Sequence, residues 1–180
     1  MNNISRNIVN MNHLIDGLLN FSRINRVDLD QAMVPMQKMA AEVATALAMA
    51  WQIDPQVIEV QSMPDINGDA ILLRQVWQNL IDNAIKFSRT NKEATVTISG
   101  EQGDGFATYC VKDNGVGFDN EFSGKLFGLF QRLHHVSEFE GVGVGLALVE
   151  RIIKRHGGRV WAEGKKGEGS AFYFSLPTHP

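Results

Sequence analysis

The stretch Leu73–Ser88, LRQVWQNLIDNAIKFS, decides how the rest of the chain is read. Asp69 stands ahead of it as an N-cap. Ile71, Leu72, Val76, Leu80, Ile81, Ala84 and Ile85 form a broad apolar stripe at helical spacing, so the sequence predicts an amphipathic helix running to about Phe87. Asn79, Asn83 and Lys86 fall at i, i+4 and i+7 and share one face. Two amide oxygens and an ammonium so placed could hold a magnesium ion and phosphates, because Mg²⁺ takes hard oxygen ligands and few protein contacts. The same three residues would equally make a solvated polar face.

C-terminal to this helix, Ala94–Ser99 alternates and is β-branched. It reads as a strand that returns through a turn at Gly103–Gly105 into a second strand, Phe106–Lys112, a hairpin with a longer loop. Directly after it comes DNGVGF, Asp113–Phe118. A carboxylate at a strand end followed by Gly115 and Gly117 places an acceptor at a pocket wall where backbone can approach a ligand. An ordinary Asp-Asn-Gly turn is the alternative. Farther on, Gly141, Gly143 and Gly145 precede a helix, Leu146–His156, closed by Gly157 and Gly158. Free N–H groups at a helix N-terminus favour anions. The glycines do not follow a strand, as a Rossmann fingerprint would require; they follow Asn120–Glu140, a length that suggests a flap over a ligand. Arg159–Glu163 and Ala171–Leu176 read as two more strands, and GEGS, Gly167–Ser170, is either a tight hairpin turn or another ligand-facing glycine run.

N-terminal to the helix, Pro64, Asp65, Asn67 and Gly68 mark a turn, Val57–Val60 a strand, Met36–Gln52 a helix and Asp30–Pro35 a short first strand. Arg26–Gln31 is polar and linker-like. Residues 3–25 carry apolar Ile4, Ile8, Met11, Ile15 and Leu18 in alternating steps of four and three, the heptad seam of a bundle helix that needs a partner. The sum is an α+β, two-layer α/β sandwich with a mixed sheet carrying helices on one face, preceded by a bundle helix.

Composition agrees with a single soluble domain and an appendage: 180 residues, 44% hydrophobic, 21% charged, formal charge -3. That charge gives no support to a nucleic-acid partner. The single cysteine, Cys110, excludes an internal disulfide and a thiolate zinc site, and reads as a small buried hydrophobe. Polar residues follow Met1, so no signal peptide is expected, and Gln37, Lys38 and Glu42 break the most apolar helix, so any membrane anchor would lie outside the chain.

Taken in order, these motifs resemble the catalytic domain of sensor histidine kinases, within the ATPase superfamily shared with gyrase, Hsp90 and MutL. Leu73–Ser88 is similar to the family's N box, Asp113–Phe118 to its first glycine box, and LFGLFQR, Leu126–Arg132, to its F box. Gly141–Gly145 and Gly167–Ser170 are similar to the remaining glycine boxes. The run from His156 to Pro177 resembles kinases of the phytochrome-like group. Residues 1–27 look like the second helix of the dimerisation and phosphoacceptor region, leaving 28–180 as a Bergerat-type ATP-binding domain.

The resemblance implies roles. Asn83 would coordinate Mg²⁺ with Asn79 beside it, and Lys86 and Arg132 would contact phosphates; Asn79, Lys86 and Arg132 are the expected catalytic set. Asp113 would bind the adenine amino group, with Gly115, Gly117 and Phe118 shaping the pocket. Phe127 and Phe130 would pack the base of the flap. Gly141, Gly143, Gly145 and Leu146 would cradle phosphates, and Ser170 would complete the nucleotide contacts. ATP and Mg²⁺ are the expected cofactors, with a response regulator receiver domain, an upstream sensor domain and a second copy of the full-length protein as partners, in the cytoplasm.

The phosphoacceptor histidine, with its acidic neighbour, is expected outside this chain. His13 is followed by Leu14 and reads as an ordinary surface histidine, and His134 and His135 as solvent-facing. Val142 stands where the family often carries a hydroxyl. Gyrase-like relatives carry a Glu one turn before the metal-binding Asn; here that position is Asn79, and an amide cannot act as a general base, which argues against efficient hydrolysis. A serine-directed kinase and a non-enzymatic module with decayed chemistry are the other readings.

Overall fold

The computed structural model describes residues 28–128 and 143–178. Three helices, α1 (Met36–Trp51), α2 (Ala70–Ser88) and α3 (Gly145–Arg155), accompany seven strands: β1 (Gln31–Val34), β2 (Ile58–Val60), β3 (Ile66–Asp69), β4 (Val96–Gly103), β5 (Phe106–Asp113), β6 (Arg159–Lys165) and β7 (Gly169–Pro177). β1 and β3 form a separate antiparallel ribbon. The main sheet runs β2-β4-β5-β7-β6, with β2 parallel to β4 and the other pairs antiparallel. The predicted mixed sheet and α+β class therefore hold.

Period-two alternation sorts the strand residues. Ala107, Tyr109, Val111 and Asp113 of β5 are buried, as are Phe172, Phe174 and Leu176 of β7. This face meets the helices. Trp77 of α2 makes edge contacts with Tyr109 and Phe174 at ring separations of 5.8 and 5.1 Å, and the Tyr109 hydroxyl donates to the Pro64 carbonyl at 2.9 Å. The opposite face carries Trp161 stacked on Tyr173 at 5.1 Å, with the Arg159 guanidinium over the indole.

Two expectations need correction. The Pro64–Gly68 segment is not simply a turn: Ile66–Asp69 is strand β3, paired with β1. Gly68 is there for packing, since a Cβ would lie 2.8 Å from Leu73 Cδ1 and 3.2 Å from His156 Cδ2. The β4–β5 connection is not a longer loop either. Asp104 and Gly105 form a two-residue turn with both residues at positive φ, 46° and 78°, whose twist matches the flanking strands. Residues 1–27 and the heptad seam lie outside the described residues.

Candidate functional site

Asp69 starts α2 as expected: its Oδ1 accepts from the Ile71 and Leu72 N–H groups at 3.0 and 3.1 Å. Ten residues further along, the Asn79 side chain is half-buried and its Nδ2 donates to the Gln75 carbonyl at 2.7 Å. That bond turns Oδ1 toward the start of α3. A Cβ on Gly145 would lie only 2.5 Å from Asn79 Oδ1, so α3 can approach α2 here because Gly145 has no side chain. The structure thus brings together two of the predicted motifs. It also corrects a boundary: α3 begins at Gly145, one residue before the predicted Leu146, and its N-cap Val144 gives no side-chain hydrogen bond. First-turn N–H groups have no intrahelical partner and carry the positive end of the helix dipole. Asn83 and Lys86, half-buried, follow Asn79 along α2; Lys86 Nζ sits 4.8 Å from the Phe87 ring centre.

The carboxylate end of the site is built from β5 and β7. Asp113, 2% exposed, ends β5 opposite Ser170. Ser170 Oγ donates to Asp113 Oδ2 at 2.5 Å, and the Gly115 N–H donates to Oδ1 at 2.8 Å. Burial pushes the Asp113 carboxyl up from the usual carboxylate range, while the Ser170 hydroxyl and the backbone N–H groups of Gly115 and Ser170 pull it back. A carboxylate has about four accepting sites, so accepting capacity remains beyond these three donors.

The glycines around it are required by close approach. Gly115 presses on the end of α2, where a Cβ would fall 2.3 Å from the Phe87 carbonyl oxygen; Val116 N–H donates to that oxygen at 3.2 Å. Gly117, at φ 61°, would place a Cβ 2.0 Å from the Lys165 oxygen. The β6–β7 turn closes this side, with Gly167 N–H donating to Val116 O at 2.8 Å. Gly167–Ser170 is therefore both a hairpin turn and one wall of the Asp113 loop. Phe118 and Phe127 are buried against Phe172, and Gly164 is cut away to admit the Phe118 ring. Phe130, Arg132, Gly141, Val142, His13, His134 and His135 lie outside the described residues; Gly143 is described, at φ 74°.

A shallow groove lined by Met39, Ala70, Ile71, Arg74, Gln75 and Gln78 shares no residue with this constellation. Asn114 is a contributor to which the sequence assigns no role: its side chain bonds the α2–β4 connection. Gly145 is among the expected phosphate-cradling glycines, but its fit against Asn79 is not visible in the sequence.

The family model for histidine kinase-, DNA gyrase B- and HSP90-like ATPases matches residues 68–180, a span that holds both halves of this site. The chain belongs to that family. It is 38% identical over 167 residues to the phytochrome-like protein Cph1 of a Synechocystis strain, covering 93% of this chain and 22% of Cph1. The chain spans about a fifth of the length of Cph1 and of two cyanobacterial phytochromes, and 44% of an adaptive-response sensory kinase SasA that it also matches. Among solved structures, full-length ShkA in complex with AMPPNP superposes with a TM-score of 0.74 at 28% identity, over 91% of this chain and 35% of that one. The mycobacterial sensor histidine kinase MprB gives 0.70 at 25%, over 83% of this chain and 99% of its own. Among the described residues no helix is long and apolar enough to cross a membrane.

Proposed function

We propose that this chain is the ATP-binding catalytic part of a two-component sensor histidine kinase. It would transfer the ATP γ-phosphate to a histidine outside residues 1–180, for relay to a response regulator receiver domain. One observation carries the reading: a buried carboxylate, Asp113, sits in a glycine-built loop wedged against the end of the helix that carries Asn79, Asn83 and Lys86. A carboxylate buried at a cost to folding, with accepting capacity left over, fits an adenine amino donor. Gly115 and Gly117, with the Phe87 and Lys165 carbonyl oxygens standing where a Cβ would be, pack the loop tightly and fix the backbone that presents Asp113.

In this reading Asp113 takes the adenine amino group, with Gly115, Gly117, Phe118 and Ser170 shaping its surroundings. Asn83 ligates Mg²⁺ through its amide oxygen, with Asn79 beside it. Lys86 and Arg132 neutralise phosphate charge, and Gly141, Gly143, Gly145 and Leu146 offer backbone N–H groups to phosphate. A half-buried amide oxygen from Asn83 is a hard, neutral donor and suits an ion that takes most of its ligands from phosphate and water. Bound MgATP would supply the transferable phosphoryl group and the metal's charge; the protein contributes position and charge neutralisation, the main needs of such transfer. Residues 1–27 would form half of a dimerisation hairpin ahead of the catalytic domain at 28–180, in a full-length protein with an upstream sensor domain and a cytoplasmic kinase core.

Incubation with γ-labelled ATP and Mg²⁺ tests this. The chain alone should acquire no label, should label the dimerisation hairpin of its full-length protein added in trans, and should release little inorganic phosphate. Rapid phosphate release without labelled hairpin would favour a hydrolase instead.

A further inference from the structure

The β4–β5 ladder ends at the pair Val96 and Asp113, where the chain must turn away from the sheet toward Gly115. Asn114 is the next residue, and its side chain carries the ladder one rung further. Its backbone N–H donates to the Thr95 carbonyl at 3.3 Å, its Oδ1 accepts from the Thr95 N–H at 2.9 Å, and its Nδ2 donates to the Glu93 carbonyl at 2.7 Å. The Asn91 Nδ2 donates to the Asn114 carbonyl at 3.0 Å. One side-chain amide thus does the work of a peptide group, with acceptor and donor both used.

These bonds join segments with different duties. Residues 89–95 leave the C-terminal end of α2, and Asn91 N–H donates to the Ser88 carbonyl at 2.8 Å, so the connection is anchored to the helix. Asp113 is fixed independently, by its ladder partners Val96 and Ser170 and by its bonds to Ser170 Oγ and Gly115 N–H. Asn114 is one of two ties between the strand end bearing the carboxylate and the helix bearing Asn83 and Lys86; the other is the Val116 N–H bond to the Phe87 carbonyl at 3.2 Å.

We infer that Asn114 is a positioning residue that sets the spacing between the adenine-reading carboxylate and the phosphate-binding helix, an inference that rests on the nucleotide reading above. Only a side chain of this length with a donor and an acceptor can make both bonds. Alanine makes neither. Aspartate keeps the acceptor for Thr95 but sets a carboxylate against the Glu93 carbonyl. Loosening the tie weakens a ligand that spans both halves far more than one that touches Asp113 alone.

The test compares adenosine with a non-hydrolysable ATP analogue plus Mg²⁺, each titrated by NMR into the 180-residue chain, its Asn114→Ala variant and its Asn114→Asp variant. Loss of two hydrogen bonds at the tie should weaken the ATP analogue about tenfold in Asn114→Ala. Adenosine should stay within about twofold of wild type, Asn114→Asp should fall between, and the Thr95 amide should exchange faster with solvent in the alanine variant. Equal losses for both ligands would reduce Asn114 to a structural residue, and unchanged affinities would also overturn the proposal. If Asn114→Ala does not fold, Asn114→Asp decides by the same comparison. Wild type that binds neither ligand would overturn the nucleotide reading itself, and this inference with it, before any variant is compared.

Discussion

Asp113 is held against its own hydration. Its folded-state pKa lies above the unfolded value of 3.8, with burial the leading cause. A group raised in this way favours folding at low pH, and that contribution is lost as pH rises through the folded value. At pH 7.5 the ionised carboxylate therefore opposes folding. Asp113→Asn, whose amide Ser170 can still meet by rotating its hydroxyl, should leave the urea midpoint unchanged or higher. Affinity for an ATP analogue should fall at least about tenfold, the scale of one hydrogen bond to a charged group. A joint fall in stability and affinity would make Asp113 a structural residue. Gly117 should behave in the opposite way. At φ 61°, with the Lys165 oxygen 2.0 Å from any added Cβ, Gly117→Ala should cost at least about 2 kcal/mol of stability, measured by chemical denaturation. A variant as stable as wild type would show that the loop can move aside.

Among the elements, the junction of β3, α2 and α3 carries the clearest pH dependence. His156, 8% exposed, donates from Nδ1 to the Ile152 carbonyl at 2.8 Å, and its Nε2 accepts the Asp69 N–H at 3.0 Å. Both bonds together require the neutral ring. Burial lowers its pKa from 6.5; the Ile152 carbonyl and Asp69 push it up, and Arg155 pushes it down. A depressed histidine contributes stability above its unfolded pKa and loses it as pH falls through the folded value. The urea midpoint should therefore drop between pH 7.5 and 5.5, and drop less in His156→Gln. Equal drops would assign the pH dependence elsewhere. The same junction depends on the α2 cap, and Asp69→Ala should cost about 1–2 kcal/mol by denaturation, since Asp69 accepts from Ile71, Leu72 and the Asp30 N–H. This element scale is also where the sequence was most and least readable. The stripes of α1 and α2 and the alternation of β5 are local periodicities, so they could be read directly, except that Ile71, counted in the α2 stripe, lies in the first turn and is 74% exposed. β3 could not, because Gly68 answers to Leu73 and His156 rather than to its neighbours. The same holds at the site: Asp113, Asn79, Asn83 and the glycines declared themselves by residue type, whereas the Asn114 bond to Thr95 spans 19 residues and the His156 bond to Asp69 spans 87.

For the molecule as a whole, a two-layer fold puts α2 across one face of the sheet, so that the carboxylate from a strand end and the amides from a helix face lie at one edge of the core. The structure accounts for the closeness of these groups through glycines that yield space: Gly115 to the Phe87 carbonyl and Gly145 to Asn79. In the proposed function this edge binds ATP through Mg²⁺. Calorimetric titration of the chain with a non-hydrolysable ATP analogue, with and without Mg²⁺ and alongside Asn83→Ala, tests it most directly. Binding should weaken at least about tenfold when Mg²⁺ is removed, and in the variant as well. A folded wild-type chain that takes up no heat with the analogue, or binds it equally well without Mg²⁺ and without Asn83, would contradict it.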